Sequence, residues 1–213
     1  MVKKQSNSFM SCDGKTSIHV VMWRPDENEY DKPVAVLQIS HGMIEYIDRY
    51  DGFARFMADR GFVVVGNDHL GHGESVCSDD DLGFFKDEHP GEALAKDVHH
   101  LTVLTKKMYP GIPYYLLGHS MGSFVTRKYI CDYGYELDGV IIMGTGHQPT
   151  PMVLVGKVLA DITRFIKGDR YRSRLISKIM FGAYNKRIKN VRTSNDWLTR
   201  DETVVDEYNV GKL

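Results

Sequence analysis

Four short, nearly unbroken apolar runs constrain this fold more than any other feature of the chain. They are Val34-Ala35-Val36-Leu37-Gln38-Ile39, Phe62-Val63-Val64-Val65, Tyr114-Tyr115-Leu116-Leu117 and Val140-Ile141-Ile142-Met143. Neighbouring side chains of a strand point to opposite faces, so a strand that is apolar at consecutive positions is buried on both. Sheets covered on both faces are mostly parallel, because their crossover connections supply the covering helices. Segments with helical spacing lie between the runs. Phe53, Phe56 and Met57 share a face before a stop at Gly61. Leu94, Val98, Leu101, Leu104 and Met108 share one between Pro90 and Pro110-Gly111, and Met121, Phe124, Val125 and Tyr129 share another that ends at Tyr133-Gly134. The alternation predicts right-handed βαβ units in a mostly parallel α/β sheet with helices on both faces. Ligands of such sheets bind at the carboxyl ends of strands, so the chemistry is sought after Ile39, Val65, Leu117 and Met143. Upstream, Lys15 to Trp23 alternates behind Asp13-Gly14, a hairpin turn signal.

The 213 residues suffice for one domain with a sizeable core. With 20 Gly and 7 Pro, collagen-like and low-complexity classes are excluded. A formal charge of −1 argues against a whole-chain nucleic-acid binder. That balance is uneven along the chain. Residues 1–150 carry 14 basic and 21 acidic side chains, residues 151–213 carry 13 and 7, and the stretch 164–192 holds ten basic residues and one acid, Asp169. The strand rhythm also stops near 150. Residues 152–166 are apolar with a helical period, the basic stretch follows, and an acidic tail runs from Asp196 to Glu207. Residues 1–150 are therefore read as the sheet core and 151–213 as a helical cap or lid. No apolar run reaches the roughly 18 residues of a membrane span. The start, Met1 to Asn7, lacks the apolar stretch of a signal peptide. Three scattered cysteines, Cys12, Cys77 and Cys131, suit neither a disulfide framework nor a metal site. The expected location is a reducing cytoplasm.

Three loop segments carry the chemistry. Gly118-His119-Ser120-Met121-Gly122 is a G-x-S-x-G pattern between an apolar run and an amphipathic segment. A sharp strand-to-helix turn there presents the Ser120 oxygen above the sheet, and Gly118 and Gly122 allow close backbone approach. The helix N-terminus at Ser120 favours negative charge near the attacking oxygen. His41-Gly42-Met43 follows the first run. Acyl transfer needs two backbone N–H donors for the developing oxyanion, and Met121 and Met43 are the candidates, with Gly42 letting the loop pass close. The plainer reading of that segment is an ordinary strand-to-helix turn. Asp68-His69-Leu70-Gly71-His72-Gly73-Glu74-Ser75 follows the second run. Its histidine spacing is poor for zinc, so it is read as loop architecture. No metal and no cofactor is expected.

Together, His41-Gly42-Met43-Ile44-Glu45, Asp68-His69-Leu70-Gly71-His72-Gly73-Glu74-Ser75 and Gly118-His119-Ser120-Met121-Gly122-Ser123 resemble the lysophospholipase and monoacylglycerol lipase group of α/β-hydrolases, a group that includes serine aminopeptidase-like proteins. Tyr46 departs from the pattern, since bacterial relatives often carry histidine there. The resemblance implies an α/β-hydrolase fold, Ser120 as nucleophile, Met43 and Met121 as oxyanion-hole amides, and a small lipid-like ester as substrate. Serine needs a histidine base oriented by a carboxylate, in the chain order Ser, Asp/Glu, His. Here the last histidine is His147, and 148–213 contains none. His119 flanks the serine but at such a turn packs elsewhere, and His41 and His147 lie at the correct edge of the sheet without a partnering acid. No triad acid or base is assigned in these residues. The resemblance implies two further strand–helix units carrying them, so the chain is expected to be an incomplete hydrolase without its last strands and helices. A short variant with a different dyad, a peptidase or amidase of the same fold, and a non-catalytic binding module remain open. The basic stretch offers weak attraction to anionic lipid; the plainer reading is a solvated face.

Overall fold

The computed structural model describes residues 1–85 and 89–210. Two compact units are present, Met1–Gly146 and a second beginning at His147. The first is a six-stranded sheet with strand order β1-β2-β4-β3-β5-β6, made of β1 (Lys3–Met10), β2 (Ser17–Arg24), β3 (Ala35–Ser40), β4 (Phe62–Asn67), β5 (Tyr114–His119) and β6 (Gly139–Met143). β3, β4, β5 and β6 run parallel, while β2 meets both β1 and β4 antiparallel. Helices α1 (Asp51–Ala58), α2 (Pro90–Met108) and α3 (Met121–Tyr133) fill the crossovers.

The pleat sorts the apolar runs between two cores, as continuous runs require. Leu37, Ile39, Val64 and Leu117 pack with Ala54 and Ala58 of α1 on one face. Val36, Val63, Val65, Tyr114 and Leu116 face the other way, toward Leu94, Val98 and Leu101 of α2 and Val125 and Tyr129 of α3. Gln38, fully buried in the middle of β3, is satisfied rather than orphaned. Its amide donates to Val98 O at 2.9 Å, and its oxygen accepts from Thr102 Oγ1 at 2.8 Å and Tyr114 Oη at 2.5 Å. A buried polar side chain bonded through both its oxygen and its nitrogen fixes strand register against the helix behind it.

Two helix faces differ from the sequence expectation. α1 buries Ala54 and Ala58, while Phe53 and Phe56 stand in solvent, the latter 51% exposed under the Arg60 guanidinium. α3 buries Gly122, Ser123, Val125, Thr126 and Tyr129, and leaves Phe124 50% exposed. Small residues take the closest contacts with the sheet, Ala54 and Ala58 in α1 and Gly122 and Ser123 in α3, while Tyr129 at the far end of α3 is fully buried. β1 is a strand the apolar pattern did not signal: its sequence is Lys-Lys-Gln-Ser-Asn-Ser-Phe-Met and nearly every side chain is exposed. It forms through the turn that Asp13 holds, accepting from Lys15 N and Thr16 N at 2.8 Å each. β6 also departs from its both-faces-buried reading. Among the described residues it pairs only with β5, and Val140 to Met143 are 37–46% exposed.

The second unit is helical: α4 (Thr150–Lys167), α5 (Arg174–Phe181) and α6 (Glu202–Val210). Ser173 caps α5, accepting from Ile176 N at 3.3 Å. Trp197 stacks on Phe181 and meets Tyr184 edge-on at 4.7 Å. Arg192 ties the segment before α6 to Asp206 at 3.0 Å. Among the described residues no helix is long and apolar enough to cross a membrane.

Candidate active site

The loops after β3, β4, β5 and β6 meet at the carboxyl ends of the parallel strands. Ser120 joins β5 directly to α3 with φ 52° and ψ −118°, a conformation that L-residues adopt only when the surroundings impose it. The surroundings are mostly backbone. A Cβ on Gly122 would overlap Ser40 O and sit 2.5 Å from His41 O, and one on Gly118 would overlap Thr126 Oγ1 and sit 2.5 Å from Gly122 O. The Ser120 N–H is held by Met143 O at 3.0 Å, and Ser123 Oγ donates to Ser120 O at 2.6 Å. Met121 opens α3, so its N–H is one of the helix-end donors without an intrahelical acceptor.

Gly42 brings the β3 loop against this turn: a Cβ there would lie 3.0 Å from Ser120 Cβ. Met43 follows at the exposed tip, 37% exposed, and Ile44 takes φ 59°. Glu45, which the sequence reading quoted without a role, is the polar centre of the loop. Its Oε1 accepts from Gly42 N, from Tyr50 Oη at 2.9 Å and from His119 Nδ1 at 3.1 Å. Burial works to raise the Glu45 carboxyl, and the bonds from His119, Gly42 and Tyr50 override it and hold it below the usual range. The same bond to Glu45 raises His119. His119 therefore reaches sideways to the β3 loop and does not pack under the turn. No residue-type pattern announces this link, because its partners are 74 positions apart.

His41 is fully buried and bonded at both nitrogens. Nδ1 donates to Gly42 O at 2.7 Å and Nε2 accepts from His69 N at 2.9 Å. It is loop scaffolding, not a base at the site edge. His69 Nε2 meets Ser40 Oγ at 3.0 Å, and His72 Nδ1 donates to Leu70 O at 3.2 Å. Burial depresses all three imidazoles, His69 to about 3. Among the described residues of the sheet unit, no histidine is hydrogen-bonded to Ser120.

Asp68 organises the β4 loop. Nearly inaccessible, it accepts from Ile47 N at 2.7 Å, Glu74 N at 2.9 Å and His19 Nδ1 at 3.0 Å. Asp68→Ala strands the buried Ile47 N–H and unpairs the part-buried Glu74 N–H, and is expected to cost about 3 kcal/mol. Asp68→Asn, which keeps one acceptor oxygen, is expected to cost clearly less. Urea midpoints of the two variants check this; equal losses would mean the hydrogen bonds are not what Asp68 supplies.

The family description "Serine aminopeptidase, S33" matches residues 31–213, most of the chain. The chain belongs to the serine aminopeptidase S33 family. A carboxyl esterase of Bacillus coagulans, solved in complex with glycerol, superposes on this family member with TM-score 0.85 at 30% identity, over 98% of this chain and 66% of that one. The fold is that of an α/β-hydrolase. Human monoglyceride lipase is 26% identical over 191 residues, 90% of this chain and 54% of its own length. A monoglyceride lipase homolog of Monkeypox virus is 32% identical over 153 residues, 68% of this chain and 51% of that protein. The chain thus spans about half the length of these curated relatives.

Proposed function

We propose that this chain carries the nucleophile half of a serine hydrolase that cleaves carboxylic esters of small lipid-like substrates, through an acyl-enzyme on Ser120. The observation that carries the reading is the Ser120 backbone, held at positive φ between β5 and α3 with the Gly42 loop against it. In the proposed step Ser120 Oγ attacks the ester carbonyl, and the N–H groups of Met43 and Met121 stabilise the oxyanion. Gly118, Gly122 and Gly42 permit the approach, and His119 braces the turn. The ester preference is supported by relatives named monoglyceride lipase and carboxyl esterase. The second unit, with an apolar α4 and a basic stretch, is read as a helical cap. Three free cysteines fit a reducing compartment such as the cytoplasm.

The acid and base that would activate Ser120 are not among the histidines and carboxylates that surround it here; in this reading they belong to sequence that the longer relatives have and this chain does not match. A fluorophosphonate probe tests both parts. Labelling is expected at Ser120, abolished by Ser120→Ala, and slower by about 10⁴-fold or more than for a serine hydrolase with its base in place. Labelling that survives Ser120→Ala would remove the nucleophile assignment. Labelling at an ordinary hydrolase rate would mean that a base is present in these 213 residues.

A further inference from the structure

We infer that Glu45 is a positioning residue, a staple that joins the oxyanion loop to the nucleophile turn through a single carboxylate oxygen. The inference rests on Ser120 as the nucleophile. The two proposed oxyanion donors stand on different loops: Met43 follows β3, and Met121 follows β5. Their separation is therefore not set by any one element. Glu45 Oε1 bonds one group from each side, Gly42 N on the β3 loop and His119 Nδ1 beside Ser120. Tyr50, in the one-turn helix after the loop, adds its hydroxyl to the same oxygen at 2.9 Å and lies 3.1 Å from His119 Nδ1, closing a triangle. Glu45 Oε2 faces Arg49 Nε at 3.8 Å. The buried rings of His41, His69 and His72 lie behind the loop and supply it no further bond to Glu45.

The geometry is economical for a positioning role. Gly42 is adjacent to Met43, so fixing the Gly42 N–H fixes the peptide plane that precedes the Met43 donor. His119 is adjacent to Ser120 and two positions before Met121. A carboxylate that loses neither bond during reaction keeps both donors at one spacing while charge grows on the substrate oxygen, which is what preorganisation requires. Without Glu45 the Gly42 N–H must find another acceptor, and the loop turns to find it.

The test compares Glu45→Ala with Glu45→Gln, which keeps an acceptor oxygen without the charge. Two readings are taken on each: amide hydrogen exchange at Gly42, and the fluorophosphonate labelling rate of Ser120 followed by mass spectrometry over long incubations. In Glu45→Ala the Gly42 amide is expected to exchange at least about tenfold faster, and Ser120 labelling to fall by about 10²-fold. Glu45→Gln is expected to restore both to within about tenfold of the parent. A merely structural Glu45 would lower the melting temperature and leave the labelling rate of the folded fraction unchanged, and that result overturns the inference. Slow labelling in Glu45→Gln at parental stability also overturns it, since the acceptor oxygen is then not the agent. If Glu45→Ala fails to fold, the Gln variant alone decides on the same criterion. If the parent itself does not label at Ser120, the functional reading fails, and the exchange rates still decide whether the staple exists.

Discussion

Gly122→Ala is expected to destabilise the sheet unit by about 3 kcal/mol, at the upper end for overpacking, and to slow Ser120 labelling by about 10²-fold. The added methyl overlaps Ser40 O and crowds His41 O. Both are backbone atoms, one in β3 and one in the loop that follows, so neither can rotate away as a side chain tip would. The helix must lift instead, and α3 carries Met121 and the Ser120 turn with it. A displacement of about 1 Å at a reacting group costs about 10²-fold in rate. Gly52→Ala is the control. Gly52 lies in α1 at ordinary helical φ, with nothing within 4 Å of the new methyl. It is expected to gain about 0.5–1 kcal/mol from helix propensity and a less free unfolded chain. Urea denaturation of the two variants reads the contrast. Equal behaviour would mean that the close approach of α3 to β3 is not structurally required.

Acid is expected to unfold the sheet unit between pH 6.5 and about 4.5, before most carboxylates titrate. His41, His69 and His72 are held neutral by burial, with pKa values below that of the unfolded chain. Above the ordinary imidazole range both states are neutral and this costs nothing. As pH falls below that range the unfolded chain binds protons that the folded one refuses, so stability drops. His69, with its value near 3, contributes a loss of about 1 kcal/mol per pH unit across this window, and His41 adds in the same direction. His19 and His119 act with the opposite sign, because Asp68 and Glu45 raise them. Their contribution is complete below the ordinary range and is lost as pH rises through their raised values, so it does not offset the slope on the acid side. His69→Gln is expected to lower stability at pH 7.5 and to flatten the acid slope by that same amount. An unchanged slope, measured as urea midpoints at pH 7.5, 6 and 5, would assign the acid transition to other groups.

What could be read in the sequence follows a physical line. The central strands β3, β4 and β5 and the helices behind them were legible because burial on two faces leaves a continuous apolar run, and burial on one face leaves a periodic one; the same run at the edge strand β6 marked a strand without that burial. The tight turn at Ser120 was legible because glycines at fixed offsets are a local requirement of such a turn. β1 was not, because its stability comes from pairing with β2 and from the Asp13 turn, and an exposed edge strand needs no apolar code. The exposed rings of Phe53, Phe56 and Phe124 misdirected the helix faces. Hydrophobicity says which residues gain by burial; the distance between a helix and its sheet says which can be accommodated, and that distance is set by Gly122 and Ala54. The roles of Glu45, Asp68 and His119 depend on contacts between loops far apart in sequence, so no window of residues contains them.

The bond from Ser120 N to Met143 O gives the nucleophile turn an unusual tether. Met143 ends β6, one of the two edge strands of the sheet among the described residues. Sheet margins open locally at lower free energy than sheet centres. The free energy that keeps Ser120 in its high-energy backbone state is therefore drawn partly from an edge strand, and whatever damps the fraying of that margin also lengthens the time the Ser120 turn keeps its shape.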